Sequence, residues 1–173
     1  MMIRKATEAE IPSCVELYEV ARGYMRANGN HVQWTGGYPS LENARHDFEQ
    51  GHLYVCEEDG RLLACFTFFL GPDPAYARIE DGAWINDDPY WVMRRIAVGV
   101  QGRGVGSFCL GWIKEQCDNA RADTHELNAA MQAVFVKCGF VRCGTIYTAE
   151  GSPRVAYQYV ASEARLASQG LAS

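Results

Sequence analysis

The segment Ile96-Ala97-Val98-Gly99-Val100-Gln101-Gly102-Arg103-Gly104-Val105-Gly106 constrains the fold of this chain more than any other, because it runs a short β-branched strand into a glycine-rich turn that opens a helix. Glycine has no Cβ, so the backbone N–H groups of Gly102, Gly104 and Gly106 can turn toward a ligand and approach it closely, while the following helix adds the positive end of its dipole. A phosphate group fits such a site without any charged side chain. Downstream, Val105, Phe108, Cys109, Trp112, Ile113 and Cys117 recur at helical spacing, which puts the glycines at a helix N-terminus rather than in an irregular loop. A tight strand-to-helix turn with no ligand also accounts for the glycines taken alone, so a second motif is needed to choose.

The 173 residues, 48% hydrophobic and 21% charged, suit one globular domain, expected over 1–160 with a C-terminal tail at 161–173 that is either a short helix or frayed. A net charge of −5 without a lysine- or arginine-rich block offers a nucleic-acid backbone no electrostatic foothold. The longest apolar run, Leu62 to Leu70, is well short of the ~20 residues needed to cross a bilayer. The start Met1-Met2-Ile3-Arg4-Lys5 has no apolar signal region, so the expectation is a cytoplasmic protein without membrane or nucleic-acid partners. Seven cysteines, an odd number with no C-x-x-C pair, read as reduced, small core hydrophobes. His31, His46 and His52 lack metal-ligand spacing, so no metal is expected.

Along the chain, Ile3 to Ala6 reads as a strand, and Thr7 with Glu10 forms a capping box for a helix carrying Ile11, Cys14, Val15, Tyr18 and Met25 on one face. Gln33 to Pro39 is too rich in glycine and aromatics for a regular element and suits a substrate-side loop; Ser40 then caps a short helix ending at Gly51. Leu53 to Glu57 and Arg61 to Leu70 flank Asp59-Gly60, a hairpin signal. Strands are expected at Tyr76 to Asp81 and Trp91 to Val98, then a helix from Gly104, an extended piece at Ala120 to Thr124, and a helix carrying Leu127, Ala130, Met131, Val134, Phe135 and Cys138 that ends at Gly139. Phe140 to Tyr147 and Arg154 to Val160 close the chain as a hairpin. The strand–helix–strand crossover makes its strand pair parallel and the sheet mixed.

With these motifs in order, the chain resembles the GNAT superfamily of N-acetyltransferases, which move an acetyl group from acetyl-CoA to an amine. The first family motif stands as Gln101-Gly102-Arg103-Gly104-Val105-Gly106; the second, an Asn opening a helix that ends in Gly-Phe, runs from Asn128 to Gly139-Phe140. The resemblance covers Ile3 to about Val160 and implies an α+β fold: a central mixed sheet, antiparallel in its N-terminal half, with a parallel strand pair at the cofactor cleft and helices on both faces. It implies acetyl-CoA as cosubstrate, with Ile96, Ala97 and Val98 beside the pantetheine arm, Gln101, Gly102, Arg103, Gly104, Val105, Gly106 and Ser107 around the pyrophosphate, Asn128 lining the adenine or pantetheine side, and the Val98 N–H facing the developing oxyanion. Where many members carry a tyrosine that protonates the departing thiolate, this chain has Phe135, which cannot; a thiol of pKa about 8.5 is still a tolerable leaving group.

An incoming ammonium must lose a proton. Glu80, beside Asp81 at a predicted strand end, His125 before the Asn128 helix, and Tyr147 after the Cys143–Ile146 strand are the candidate acid–base groups, each with a structural alternative as a solvated charge, a turn-ordering histidine or a packed aromatic. Gln33, Trp34, Tyr38, Trp84, Tyr90 and Trp91 concentrate aromatic surface outside the helical stripes, and Gln33, Trp34, Tyr38, Trp84 and Tyr90 are the candidate acceptor-binding residues. The expected function is N-acetylation of a primary amine on a small molecule or peptide by direct attack on the thioester, with a homodimer left open. A dinucleotide fold, in which Asp123 would bind a ribose, conflicts with the antiparallel strands that precede the turn. The competing class is a non-catalytic acyl-CoA sensor.

Overall fold

The Thr7–Glu10 box starts the first helix as the sequence marks it. The Glu10 carboxylate accepts from the Thr7 N–H at 2.8 Å and from the Thr7 hydroxyl at 3.0 Å. A 3-10 turn at Glu8–Glu10 then leads into α1, Ile11–Ala27, with Pro12 in its first turn, where a missing N–H costs nothing. A computed structural model describes residues 1–162, so the expected tail lies outside the described residues from 163 onward. The other elements are β1 Met2–Lys5, α2 Leu41–Glu49, β2 Leu53–Glu58, β3 Arg61–Leu70, β4 Trp91–Val98, α3 Val105–Gln116, β5 Asn119–Thr124, α4 Ala129–Lys137, β6 Val141–Tyr147 and β7 Pro153–Val160. The strands form a seven-stranded mixed sheet in the order β1-β2-β3-β4-β5-β7-β6, mostly antiparallel, with β4 and β5 the parallel pair.

The described residues group into two compact units. The first contains Met1–Phe69 and Met93–Cys109. Within it β1 and β2 pair from Met2 opposite Glu57 to Lys5 opposite Tyr54, and β2 pairs with β3 through the Asp59-Gly60 hairpin. Both turn residues have positive φ, 51° and 75°, the geometry whose twist matches the flanking strands. Side chains alternate between the two faces of this part of the sheet. Val55 and Cys65 lie opposite each other on the face that receives α1, where the Cys65 thiol reaches the Cys14 carbonyl at 3.7 Å. Cys56 and Ala64 point the other way, and the Cys56 thiol is hydrogen-bonded to Cys109 of α3. Helices therefore cover both faces of this unit, and its core gathers Ile11, Cys14, Leu17, Tyr18, Trp34, Leu53, Val55, Cys65 and Ala97.

The second unit contains Leu70–Val92 and the described residues from Leu110. Here β7 lies between β5 and β6 and pairs antiparallel with both, from Asn119 opposite Val160 to Thr124 opposite Val155, and from Val141 opposite Gln158 to Tyr147 opposite Pro153. The strand expected at Tyr76 to Asp81 does not form. Asp73 accepts from the Ala75 N–H at 2.9 Å and caps a 3-10 turn, Pro74–Tyr76, and only Glu80 pairs, with Thr145 on the outer side of β6. Proline at the start of that turn makes the local bend cheaper than an extended chain. Close approach of backbones holds the bridge: a Cβ on Gly144 would stand 2.5 Å from the Glu80 carbonyl, and one on Gly82 would stand 1.9 Å from the Cys143 carbonyl.

Arg4 forks across Glu10 at 2.7 and 2.9 Å and Glu57 at 2.5 Å, tying the first turn of the chain to β2. Hydrogen bonding to Arg4 holds the Glu10 carboxyl down at about 2, against an ordinary 4.5. A depressed folded pKa contributes stability that is fully present above the unfolded value and lost as pH falls through the folded one. Glu10→Gln is expected to remove ~1 kcal/mol at pH 7, a fall in melting temperature of about 2–4 °C, and the gap from the parent should close between pH 4.5 and pH 2. Thermal melts of both proteins across that range check this; a gap independent of pH contradicts it.

Candidate functional site

The glycine turn follows directly on β4. β4 ends at Val98, the Gly99 N–H donates to the Leu63 carbonyl at 2.8 Å, and the chain turns out through the exposed residues Gln101 to Gly104. Gly102 and Gly104 have φ of +76° and +72°, a region that L side chains resist, and a Cβ on either would meet nothing within 4 Å. Glycine is therefore required there by backbone angle, and the space before the turn is open. The Gly104 carbonyl accepts from the Phe108 N–H at 2.9 Å, so the helix starts directly out of the turn. Val105 is buried and anchors the helix end, while Gly106 and Ser107 are half-buried on its first turn. Gln101 folds back to the Val98 carbonyl at 3.3 Å, and Arg103 is ion-paired with Glu58. Ala97 is buried, and Ile96 and Val98 on either side of it are half-buried.

In the second unit, Asn128 caps α4: its Oδ1 accepts from the Met131 N–H at 3.1 Å, and its own N–H donates to the His125 carbonyl at 2.9 Å. His125 is buried at the end of β5, and its Nδ1 accepts from the Leu127 N–H at 3.1 Å. That bond puts the ring proton of the neutral imidazole on Nε2, so the lone pair a base would use is already engaged. Phe135 is fully buried and stacked on Tyr157 at 4.8 Å between ring centroids, as core packing requires.

Glu80 and Tyr147 are brought together, Tyr147 as the last residue of β6 and Glu80 on an isolated bridge rather than at a strand end. The Tyr147 hydroxyl donates to Glu80 Oε2 at 3.0 Å, and Arg78 pairs with the same carboxylate. That hydrogen bond is the main cause of the raised Tyr147 pKa, which keeps the phenol protonated. The pair sits on the outer edge of β6, with β7 between it and β5.

The aromatic wall expected for the acceptor is largely occupied by the protein itself. Arg121 of β5, only 4% exposed, lies with its guanidinium 4.1 Å from the Trp84 ring centroid and 3.9 Å from that of Tyr90. It also donates to the Asn86 carbonyl at 2.8 Å. The cation–π slot read as a receptor for an amine is filled by an internal cation. Gln33 and Trp34 are buried, Trp34 edge-on to Tyr18 at 5.9 Å. Tyr38 alone of the five stays substantially open, at 40% exposure, with its hydroxyl accepting from Arg95 at 3.1 Å. Arg95, Asp47 and Arg121 carry no local sequence signal; a charged residue within a strand pattern reads as solvent-facing until its partner is located.

Among the described residues no group of three or more His, Cys, Asp or Glu side chains is placed to hold a metal ion, and no helix is long and apolar enough to cross a membrane.

A mixed sheet whose parallel strand runs into a left-handed glycine turn and a helix N-terminus defines the acetyltransferase class of α+β folds. The Acetyltransferase (GNAT) family profile matches residues 15–140, and the chain belongs to that family. It is similar to a GNAT-family acetyltransferase structure from Streptococcus agalactiae 2603, at 33% identity over 92% of this chain and 94% of that one, with a TM-score of 0.85. A GNAT-family structure from Listeria monocytogenes 4b F2365 shares the fold at 19% identity, 92% and 94% coverage and a TM-score of 0.67. So does yncA of Salmonella typhimurium, solved with its cofactor acetyl-CoA, at 18% identity, 94% coverage of both chains and a TM-score of 0.61. No curated protein sequence matches the chain.

Burial, more than the nearby Arg154 charge, holds the His125 pKa below its ordinary value. The unfolded chain therefore takes up a proton near pH 6.5 that the folded chain refuses, so this contribution to stability is full above about 6.5 and is lost as pH falls below it. Denaturant melts at pH 7, 6 and 5 should show falling stability, with a shallower fall in His125→Gln. An identical slope in the variant means that the imidazole is not the titrating group.

Proposed function

We propose that this protein transfers an acetyl group from acetyl-CoA to a primary amine of a small molecule or peptide, with residues 1–160 acting as one domain in the cytoplasm. The observation that carries the reading is the pair of left-handed glycines, Gly102 and Gly104, opening α3 with free space before them, in a chain whose family is acetyl-transferring. The backbone N–H groups of the turn from Gln101 to Gly106 hold the pyrophosphate, and the Ile96 to Val98 end of β4 takes the pantetheine arm. Bound acetyl-CoA supplies an activated carbonyl carbon for the amine to attack. The Val98 N–H steadies the charge that gathers on the carbonyl oxygen, and the Tyr38 loop orients the acceptor.

Proton loss from the acceptor is assigned to solvent. The His125 lone pair is engaged by Leu127, and the Glu80 carboxylate serves Arg78 and Tyr147 at the sheet edge, so both have structural duties that compete with general-base work. With Phe135 in the core, the thiolate leaves without a protein acid, which its low basicity permits. His125→Gln, Glu80→Gln and Tyr147→Phe should each keep kcat within about tenfold of the parent, and the rate should rise with pH along the ionisation of the amine itself. A drop of roughly 10²-fold or more in any one, rescued at pH 9, identifies that residue as the base.

Excess acetyl-CoA or CoA should raise the melting temperature by several degrees through mass action, and Gly104→Val should abolish most of that shift, because a branched Cβ is excluded at φ +72°. A CoA-release screen over amines, peptides and lysine analogues completes the test. A stability shift with NAD and none with millimolar CoA overturns the reading. Binding of CoA without release on any amine favours an acyl-CoA sensor, the alternative that the packed Phe135 supports.

A further inference from the structure

One residue interrupts β4. Arg95 has φ +51°, a left-handed angle that a non-glycine residue keeps only where its surroundings hold it, and the burial alternation of the strand breaks over Arg94, Arg95 and Ile96. The surroundings are specific. Arg95 Nε and Nη2 fork onto the two oxygens of Asp47, at 2.9 and 2.6 Å, and Asp47 is 2% exposed on the inner face of α2. Thr67 of β3 donates to the same carboxylate at 2.6 Å, and Arg95 Nη1 reaches the Tyr38 hydroxyl at 3.1 Å.

The loop that carries Tyr38 is secured from a second side. Arg22 donates to the carbonyls of Trp34, Tyr38 and Pro39 at 3.1, 2.9 and 3.1 Å, and Arg26 donates to that of Trp34 at 3.0 Å. Trp34, Gly36 and Gly37 within the loop all have positive φ, so its shape is imposed by these contacts rather than by local preference. Tyr18 lies beneath: its ring meets Trp34 edge-on, and its buried hydroxyl has no hydrogen-bond partner among the described residues. Asp47 and Arg95 cancel in charge, so what this pair contributes is geometry.

We propose that Arg95 is a positioning residue for the acceptor: through Asp47, Thr67 and Tyr38 it locks the left-handed step of β4 and the 33–39 loop into one arrangement, fixing where the amine stands. The inference rests on the acetyl-transfer reading. It separates acceptor binding from cofactor binding, because the cofactor contacts assigned above lie at Ile96 to Val98 and from Gln101 onward, whereas this tie ends on the open ring of Tyr38.

Two variants test it, with acceptor kinetics and CoA affinity measured on each folded protein. Tyr38→Phe removes one hydroxyl from an exposed ring and should raise the acceptor KM about three- to tenfold while leaving CoA affinity within about threefold, the effect of one hydrogen bond. The double variant Arg95→Gln/Asp47→Asn keeps the pair neutral, removes the fork, and should lower kcat/KM for the acceptor roughly 10- to 100-fold with CoA affinity again preserved. Tyr38→Phe decides alone if the double variant does not fold. An unchanged acceptor KM in Tyr38→Phe overturns the proposal, and so does a CoA affinity that falls in step. A parent protein that binds CoA but acetylates no amine overturns the acetyl-transfer reading and this proposal with it, a different result from either of those.

Discussion

Asp47, buried inside the first unit, finds its charge partner in Arg95, and the consequences of that pairing run through four elements. Removing one partner of a buried ion pair costs about 3–5 kcal/mol, because the other is left as an uncompensated charge. Holding a non-glycine residue in the left-handed region costs only about 1–3 kcal/mol. The pair is therefore strong enough to keep β4 out of regular strand geometry at Arg95. Burial opposes the Arg95 charge, and Tyr38 and Asp47 outweigh it, so the guanidinium stays charged. Thr67 on β3, Asp47 on α2 and Tyr38 on the loop are thus placed by one guanidinium fork, whose planar geometry lysine could not reproduce.

A comparable logic orders the long connection from β3 to β4 in the second unit. Arg121 sits between Trp84 and Tyr90, and Gln158, fully buried on β7, donates to Asn119 at 2.7 Å and to Asn86 at 3.1 Å and accepts from the Ile85 N–H at 2.7 Å. Buried polar groups of this kind stabilise only when paired, so each one specifies a single path for the chain. Aromatic residues that would make a receptor for a cationic acceptor are consumed in this packing. The acceptor proposal accordingly rests on Tyr38 and its loop.

Much of the fold was legible. The Asp59-Gly60 turn demands positive φ at both residues, the Thr7–Glu10 box needs only three intervening bonds of helix geometry, and the apolar spacing of α1 and α3 depends on the 3.6-residue period alone. The glycine turn was equally legible, because glycine enters the region near φ +75° without the steric cost other residues pay there. The segment Tyr76 to Asp81 was not. A strand was expected there, yet the Asp73–Pro74 cap and the single bridge from Glu80 to Thr145 decided its path. Glu80 consequently lies outside β6 and paired with Tyr147, rather than at a strand end. The sequence left His125 as either a base or a turn-ordering residue, and in the structure its Nδ1 accepts from the Leu127 N–H.

The sequence by itself determined the glycine turn, the periodic helices, the Asp59-Gly60 hairpin and the membership of an acetyl-transferring family, because these rest on backbone angles and on periodicities of a few residues. Only the tertiary structure decided which charged side chains are internal. Arg95 and Asp47 stand 48 positions apart, and Arg121 lies 35 positions from Asn86, so no local pattern records either partnership. A lone arginine in a strand is ordinarily solvated; it becomes a structural cation when a distant carboxylate or a pair of rings replaces the water it has lost.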